Sequence, residues 1–266
     1  MPQPNFANDF RVLEMNGGAV RGERPFSSQP FQLSLPLCQS GYANAQIDDC
    51  VGRRRAYPWR PGTRLALHAR FSHEADALVG TAGFGFWNAP FGDPTVPWPT
   101  LPQATWFFFG SPPNDLPLAH NAPGQGWFAA TLDATTWQAL RIAPLAPVVL
   151  LLNQFSPLRR KIWPWVQRQL QISFQPIEQS MADWHEYRLD WGKDGCDFWL
   201  DGRLIHQSPF SSRGPLGFVC WIDNQFMVVT GNGRFRWGTL PVTSPQFLEV
   251  ENLEIETVYL DADKRG

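Results

Sequence analysis

The side chains best suited to chemistry in this chain are carboxylates and amides that alternate with aromatic residues. Trp221, Asp223 and Gln225 occupy every second position, so on an extended strand they share one face. An aromatic ring beside a carboxylate and an amide suits a cyclic ligand with polar substituents, because stacking fixes its plane and hydrogen bonds fix its orientation. The alternative interpretation is a half-exposed strand whose Asp is satisfied by neighbouring donors.

Two further stretches carry the same combination of residue types. Trp87 and Asn88 end the glycine-rich segment GTAGFGFWNAP, and Gln46 and Asp48 share a polar stripe in NAQIDDCV. If the second strand is central, its polar face lines a cavity; if it is an edge strand, that face is solvated. Either Asp48 or Asp223 could serve as an acid or base if burial raises its pKa.

A third stretch, Ala104–Gly110 (ATWFFFG), is continuously apolar and predicts a strand buried on both faces. Trp106 and Phe108 lie on one side of it and could line an apolar pocket. The repeated glycines of Gly80–Pro90 indicate close approach of another backbone or of a ligand, because glycine otherwise weakens a strand.

The elements that must position these residues are mainly strands. The chain has 266 residues, with 25 Pro and 22 Gly as turn formers and 13 Trp and 20 Phe between them, which is typical of a sandwich or barrel. One domain over 1–266 is the simplest organisation, with a surface-wrapping segment at 1–30. Ser156 and Pro157 form a helix start signal, so one short helical insertion is predicted at 156–174. The apolar run Pro147–Gln154 is interpreted as a strand.

The most specific pattern is Trp184–Arg203, WHEYRLDWGKDGCDFWLDGR, which predicts two aromatic strands joined by a tight turn. Tyr187 and Trp191 fall on one face of the first strand. Asp201 and Gly202 supply a further turn after the second.

This hairpin resembles one in the concanavalin A-like lectin and glucanase superfamily, where a W-H-x-Y strand precedes a strand ending in D-G. The order of pieces is similar to glycoside hydrolase family sixteen: Thr81–Asn88 (TAGFGFWN) matches its x-x-G-x-W strand, and Val96–Pro102 (VPWPTLP) matches the proline-rich loop that follows. The resemblance covers about residues 60–255. It implies an all-β jelly roll of two antiparallel sheets with a concave, usually sugar-binding, groove. It leaves open a structural calcium ion on the convex side; the sequence itself points to no cofactor.

The chain departs from the family at the catalytic strand. The signature E-x-D-x-x-E would fall in Gln103–Gly110, which reads QATWFFFG and has no carboxylate. A retaining glycosidase needs two carboxyl groups about 5–5.5 Å apart, so the family's activity is not expected here.

Two functions therefore remain, besides a structural domain without a ligand. The first is a non-hydrolytic protein that binds a carbohydrate or glycoside in the groove. The second is an enzyme of another type, acting on a hydrophobic or isoprenoid-like small molecule in an aromatic pocket, with Asp48 or Asp223 as acid or base.

Composition excludes several other classes. A net charge of −2 provides no field for nucleic acid, and no His or Cys spacing indicates a metal site. The start of the chain lacks the pattern of a secretory signal, so a cytoplasmic location is expected, with Cys38 and Cys50 reduced; export would allow them to pair. The basic segment around Trp163 and Trp165 could cover the sandwich, act as a lid or contact a membrane.

Overall fold

The described residues of the structure, a computed structural model, are 10–22, 29–49, 57–90, 100–117 and 124–258. They form sixteen strands and three α-helices. The strands are β1 (Arg11–Met15), β2 (Ala19–Gly22), β3 (Phe31–Leu35), β4 (Asn44–Asp48), β5 (Thr63–Phe71), β6 (Thr81–Trp87), β7 (Gln103–Gly110), β8 (Gly126–Asp133), β9 (Ser173–Pro176), β10 (His185–Trp191), β11 (Cys196–Leu200), β12 (Arg203–Ser208), β13 (Gly217–Asp223), β14 (Gln225–Val229), β15 (Phe235–Thr239) and β16 (Gln246–Thr257).

Two seven-stranded antiparallel sheets are packed on each other as a jelly-roll sandwich, which confirms the predicted fold class. The front sheet has the order β1-β4-β13-β6-β7-β8-β9, and the back sheet has the order β12-β11-β10-β5-β16-β3-β2. Strands far apart in the chain are neighbours in both sheets, as in β13 beside β6 and β16 beside β5. Strands β14 and β15 form a separate hairpin.

Aromatic side chains fill the space between the two sheets. Phe84 of the front sheet meets Tyr187 of the back sheet at 5.0 Å between ring centroids, and Phe107 meets Phe198 at 5.3 Å. Both pairs are edge-to-face, the arrangement that the ring quadrupoles favour. Removal of these rings from water is the main stabilising contribution to the sandwich.

The aromatic hairpin predicted at Trp184–Arg203 is present as β10 and β11 in the back sheet. Tyr187 and Trp191 are buried in the core, as the alternation predicts. Asp201 and Gly202 have φ angles of 50° and 72°, the pair of positive angles of a type I′ turn. The local pattern therefore determined both the strand faces and the turn.

The N-terminal segment contributes an edge strand to each sheet. The sequence predicts a surface-wrapping segment over residues 1–30, and within its described part β1 pairs with β4 while β2 pairs with β3. Residues 1–9, 23–28 and 259–266 lie outside the described ranges. The single-domain organisation over 1–266 stays a prediction.

The helices lie between β8 and β9 and begin earlier than the sequence predicts. They are α1 (Trp137–Ile142), α2 (Ala146–Leu152) and α3 (Ser156–Gln169), with a 3₁₀ turn between the first two. Helix α3 lies within the predicted 156–174 segment and continues through Pro164, whereas Ser173 already belongs to β9.

The strand predicted at Pro147–Gln154 is wrong, because these residues form most of α2 and the turn after it. A short apolar run does not distinguish a strand from a helix. Here Pro147 lies in the first helical turn, where a missing N–H costs no hydrogen bond, and the leucines that follow are good helix formers.

The prediction that Trp221, Asp223 and Gln225 lie on one continuous strand is also wrong. Strand β13 ends at Asp223, and β14 begins at Gln225 on the separate hairpin. Gln225 therefore does not lie on the same sheet as Trp221.

Asn224 causes this change of direction. Its fully buried side chain donates from Nδ2 to the carbonyl oxygens of Gly41 (3.0 Å) and Leu240 (2.8 Å), and its Oδ1 accepts from the backbone N–H of Ala43 (2.8 Å). The backbone N–H of Leu240 donates to the Asn224 carbonyl at 2.7 Å, so the excursion through β14 and β15 is closed at its base.

Cys38, Cys196 and Cys220 are buried free thiols. The Cys38 sulfur accepts a hydrogen bond from Asn16 Nδ2 at 3.2 Å. Cys50 lies outside the described residues, and its pairing or reduced state stays a prediction.

The glycines of β6 are required by close approach of neighbouring strands. A Cβ at Gly83 would lie 2.2 Å from the carbonyl oxygen of Phe107 and 3.0 Å from the indole of Trp221. A Cβ at Gly85 would lie 2.5 Å from the Cα of Trp106. The sequence predicted that either a backbone or a ligand approaches these glycines closely. The structure shows that the backbone of β7 does so.

We expect Gly85→Ala to destabilise the protein more than Gly126→Ala. Both positions have a positive φ that costs an L-residue about 1–2 kcal/mol, but only Gly85 lacks space, since nothing lies within 4 Å of a Cβ at Gly126. Overpacking should add about 1–3 kcal/mol to the loss at Gly85. Urea unfolding of the two variants measures the difference, and equal losses would contradict the steric explanation.

Candidate functional site

Four of the aromatic residues singled out from the sequence lie together on the outer face of the front sheet, on the side away from the core. They come from the adjacent strands β13, β6 and β7. Trp221 and Phe108 both lie opposite Gly83 in the strand register, which places them on the same side of the sheet. We call this surface the aromatic face, and it consists of Trp87, Trp106, Phe108 and Trp221.

The rings of the aromatic face are in mutual contact. Trp87 and Trp221 are nearly parallel, with an interplanar angle of 5° and a centroid distance of 6.3 Å. Trp106 lies 5.6 Å from Trp221 and 5.2 Å from Phe108. The arrangement is a continuous apolar platform rather than four isolated side chains.

Two of the four rings of the aromatic face are buried, and the other two are partly exposed to solvent. Trp221 and Phe108 are buried, whereas Trp87 and Trp106 keep partial exposure. Trp221 Nε1 donates to Thr81 Oγ1 at 2.9 Å, but Trp87 Nε1 is buried with no acceptor among the described residues. A buried donor without an acceptor is costly, so the indole N–H of Trp87 adds nothing to the stability of this face.

One side of the platform continues into the protein's own packing. Phe108 contacts Phe128 at 5.2 Å, and Ile172, which follows α3, is buried in the same cluster. The accessible end of the aromatic face is therefore that of Trp87 and Trp106.

Gln46 and Asp48 border the platform on β4. Gln46 lies opposite Trp221 in the register, and its Nε2 donates to Asp48 Oδ2 at 2.7 Å. Arg11 on β1 donates to both carboxylate oxygens of Asp48, from Nε at 3.0 Å and from Nη2 at 2.9 Å. Asp48 is 0% exposed, so it is held in an internal ion pair and does not face solvent.

Asp223 is likewise enclosed by donors. It is 1% exposed and accepts hydrogen bonds from Thr81 Oγ1 (2.8 Å), Gln225 Nε2 (2.6 Å) and Tyr42 Oη (3.3 Å). Burial raises the pKa of Asp223 to about 6, although its hydrogen bonds act in the opposite direction.

The two candidate acids are too far apart to act on one bond. In the antiparallel register Asp48 lies opposite Val219, four residues from Asp223 on β13. At about 3.4 Å per residue the separation is roughly 14 Å. Glycosidase carboxylates are about 5–5.5 Å apart in retaining enzymes and about 6.5–9.5 Å apart in inverting ones.

The structure does not bring the amides of Asn88 and Gln225 to the platform. Asn88 Nδ2 donates to the carbonyl oxygen of Leu101 at 2.9 Å, and its Oδ1 accepts from the N–H of Gln103 at 3.0 Å. The side chain of Gln225 is turned to Asp223 from a different sheet. Both amides stabilise chain segments beside the aromatic face.

Sequence reasoning missed the partners that enclose the two acids. Thr81 shares the alternation of Gly83 on β6 and could have been assigned to this face. Arg11 and Tyr42 carry no local signal, because they reach the site only through pairing of distant strands.

No group of three or more His, Cys, Asp or Glu side chains within the described ranges is arranged to hold a metal ion. A cavity of about 490 Å³ lies away from the aromatic face, and its lining includes Ile177, Glu178, Asp201, Arg203 and Ile205. It is not the pocket walled by Trp106 and Phe108 that the enzyme hypothesis requires.

Comparison with solved structures gives alignments over nearly the whole chain at very low identity. An endo-β-1,4-glucuronan lyase from the fungus Trichoderma reesei aligns with a TM-score of 0.49 and 11% identity, covering 97% of this chain and 94% of that one. A glycoside hydrolase family protein from Mycobacterium thermorestibile gives 0.45 and 13%, covering 96% and 94%. The GlcNAcα1-4Gal-releasing endo-β-galactosidase from Clostridium perfringens gives 0.43 and 11%, covering 94% and 59%. No protein-family model and no curated protein matches the sequence. Similarity at this level transfers neither an activity nor a ligand to this chain.

We expect Asp223→Asn to change how stability depends on pH. Because the folded-state pKa of about 6 lies above the ordinary value of 3.8, the contribution of Asp223 is fully present below about pH 4 and is lost as pH rises through 6. Each unit of pKa difference corresponds to about 1.4 kcal/mol. The variant should lack this decline, as measured by urea unfolding from about pH 4 to 8.

Asp49→Asn is the matched control. Burial raises the pKa of Asp49 to about 7, so its loss of stability extends to a higher pH than that of Asp223. Between about pH 6 and 7 only the Asp49 variant should differ in slope from the unmodified protein. A slope unchanged in Asp223→Asn would contradict the raised pKa of Asp223.

Proposed function

We propose that this protein binds a carbohydrate or glycoside on the aromatic face without hydrolysing it. The observation that carries the proposal is the arrangement of Trp87 and Trp106, two partly exposed indoles that lie on a base of buried Trp221 and Phe108. Rigid, supported rings lose little conformational freedom on binding, which favours a stacking contact.

The chemistry of this surface suits a sugar ring. The apolar C–H face of a pyranose stacks on an indole, while its hydroxyl groups seek hydrogen bonds at the edge of the contact. The half-exposed amide of Gln46 borders the platform and offers a polar group at its edge.

Hydrolysis is not part of the proposal, because the described residues place no reachable pair of acids at the platform. Strand β7 carries Trp106 and Phe108 in the segment where members of glycoside hydrolase family sixteen, which this chain resembles, carry their catalytic carboxylates. Asp48 and Asp223 are buried, bound by donors and separated by roughly 14 Å along the strands. We propose that the chain is a relative of family sixteen in which aromatic residues replaced the catalytic acids.

The alternative is an enzyme that uses Asp48 or Asp223 as acid or base on a hydrophobic substrate. Such a group must come within about 3 Å of the proton that it transfers. The near-complete burial of both carboxyls favours binding over catalysis.

We expect the protein to bind members of a panel of β-1,3- and β-1,4-linked gluco-oligosaccharides, with a broader glycan array as the second screen. Trp106→Ala should weaken binding by at least tenfold, since central aromatic contacts contribute most to an interface. Trp87→Phe keeps a ring but removes the Nε1 donor, and a smaller loss is expected. Isothermal titration calorimetry measures both.

Trp184→Ala is the matched control, because Trp184 is exposed but belongs to the back of the molecule beside Arg70. It should leave sugar affinity unchanged. Absence of binding across both glycan screens, or equal losses in Trp106→Ala and Trp184→Ala, would count against the proposal and favour a structural domain.

We also expect no release of reducing ends from the same oligosaccharides. The two candidate acids are too far apart for the two-carboxylate mechanism. Hydrolysis by the purified protein that is abolished by Asp48→Asn or Asp223→Asn would show that the protein is an enzyme.

A further inference from the structure

The helices and the β14–β15 hairpin expose an unusual amount of apolar surface. We call the outer side of α1, α2, α3, β14 and β15 the insertion surface. Its large apolar side chains, each between 39% and 72% exposed, are Trp137, Leu140, Leu145, Val148, Leu150, Leu151, Phe155, Leu158, Trp165, Phe235 and Trp237. Contiguous apolar surface of this kind marks a site of interaction with another molecule.

Helix α2 is the clearest case of apolar side chains that no other part of the protein covers. Its sequence, APVVLLL, is apolar on every side, yet none of its residues is buried. A helix that is hydrophobic all round is normally enclosed by a core or by lipid. Leu151, at 65% exposure, has neither within this chain.

The hairpin and the helices form one body. Asn153 Nδ2 donates to the carbonyl oxygen of Gly231 at 2.7 Å, and Gln154 Nε2 donates to that of Asn232 at 2.7 Å. The ring of Trp163 lies so close to Gly231 that a Cβ there would be 2.7 Å from it. The exposed rings of the hairpin are therefore held beside the exposed side chains of the helices.

The charge of this body is entirely positive. Residues 134–177 contain five Lys or Arg and no Asp or Glu, and residues 224–248 contain two Arg and again no acid. The cations are Arg141, Arg159, Arg160, Lys161, Arg168, Arg234 and Arg236. This charge of +7 lies within a chain whose net charge is −2, so acidic residues are concentrated elsewhere in the molecule.

We propose that the insertion surface docks on an anionic phospholipid bilayer. Exposed Trp, Phe and Leu side chains enter the interfacial layer, while Lys and Arg at the same surface bind lipid phosphates. The two segments carry seven cations and no acid of their own, and Asp115 is the acid that pairs with β14 through its backbone. This excess of positive charge favours a negatively charged partner, and the exposed apolar side chains favour one with an accessible hydrocarbon phase. A bilayer offers both over the extended area that the helices and hairpin present.

Among the described helices, none is both long and apolar enough to cross a bilayer. For the segment around Trp163 and Trp165 the sequence leaves three roles open: covering the sandwich, acting as a lid or contacting a membrane. Trp163 packs on the hairpin, whereas Trp165 is 39% exposed and Trp237 is 72% exposed.

Co-sedimentation with vesicles tests the proposal. We expect the protein to bind vesicles of phosphatidylcholine with about one third phosphatidylglycerol, and to bind pure phosphatidylcholine at least tenfold more weakly. Raising salt from about 0.1 M to about 1 M should release it, because the Debye length falls from about 10 Å to about 3 Å. Arg160→Gln combined with Lys161→Gln should lower partitioning roughly tenfold or more.

Leu151→Ser and Leu37→Ser form a matched pair for the apolar contribution. Both leucines are exposed, at 65% and 60%, but only Leu151 lies on the insertion surface. Leu151→Ser combined with Trp237→Ser should lower partitioning at least tenfold, while Leu37→Ser should leave it unchanged. Circular dichroism and gluco-oligosaccharide binding verify that each variant is folded and that its aromatic face is intact.

Two results would overturn the proposal. The first is failure to sediment with anionic vesicles, or sedimentation that the Leu151 and Trp237 substitutions do not affect. The second is a dimer in solution that the same substitutions convert to a monomer, which would assign the insertion surface to a second copy of the chain. Because the sugar assay uses different residues, failure here leaves the proposed carbohydrate binding untouched.

Discussion

The close approach of strands at Gly83 and Gly85 is the constraint on which the rest of the structure depends. With no side chains at these positions, the indoles of β13 and β7 lie directly over the backbone of β6. The alternate residues of the same strand, Phe84 and Phe86, point the other way into the core. One strand thereby supports two aromatic layers, the interior of the sandwich on one side and the aromatic face on the other.

This constraint also explains why the candidate acids are used structurally. Aromatic rings cover the middle of the aromatic face, and the two candidate acids lie beside them. Asp48 is paired with Arg11, and Asp223 accepts hydrogen bonds from Thr81 and Tyr42. Both carboxyls stabilise pairing of strands distant in sequence. Burial disfavours the charged form of a carboxyl group, and for this reason the pKa of Asp223 is raised.

Local patterns in the sequence were sufficient to predict much of the fold and the aromatic residues of the candidate site. Alternation in β10 and the Asp201-Gly202 turn predicted a strand, its faces and a hairpin correctly, because period-two burial is strong where one side is core. The aromatic members of the site followed from the same alternation. The prediction of a strand at Pro147–Gln154 was wrong because a short apolar run fits either a strand or a helix, and its surroundings in the fold decide between them.

The remainder depended on contacts that no local pattern encodes. Arg11 meets Asp48 across 37 residues, and Asn224 turns the chain away from the sheet through bonds to Gly41 and Leu240. The clustering of seven cations with exposed Leu and Trp side chains becomes visible only when two separate segments are placed side by side.

The closure at Asn224 separates the length of the β14–β15 hairpin from the strand pairing of the front sheet. Because Asn224 and Leu240 are bonded to each other, the fifteen residues between them leave the sandwich and return at the same point. The hairpin is also held along its side, since the Asp115 N–H donates to the Met227 carbonyl at 3.0 Å and the Val229 N–H donates to the Asp115 carbonyl at 2.8 Å. Because its two ends meet at one point, residues added at its far turn would leave the register of β13 in the front sheet unchanged.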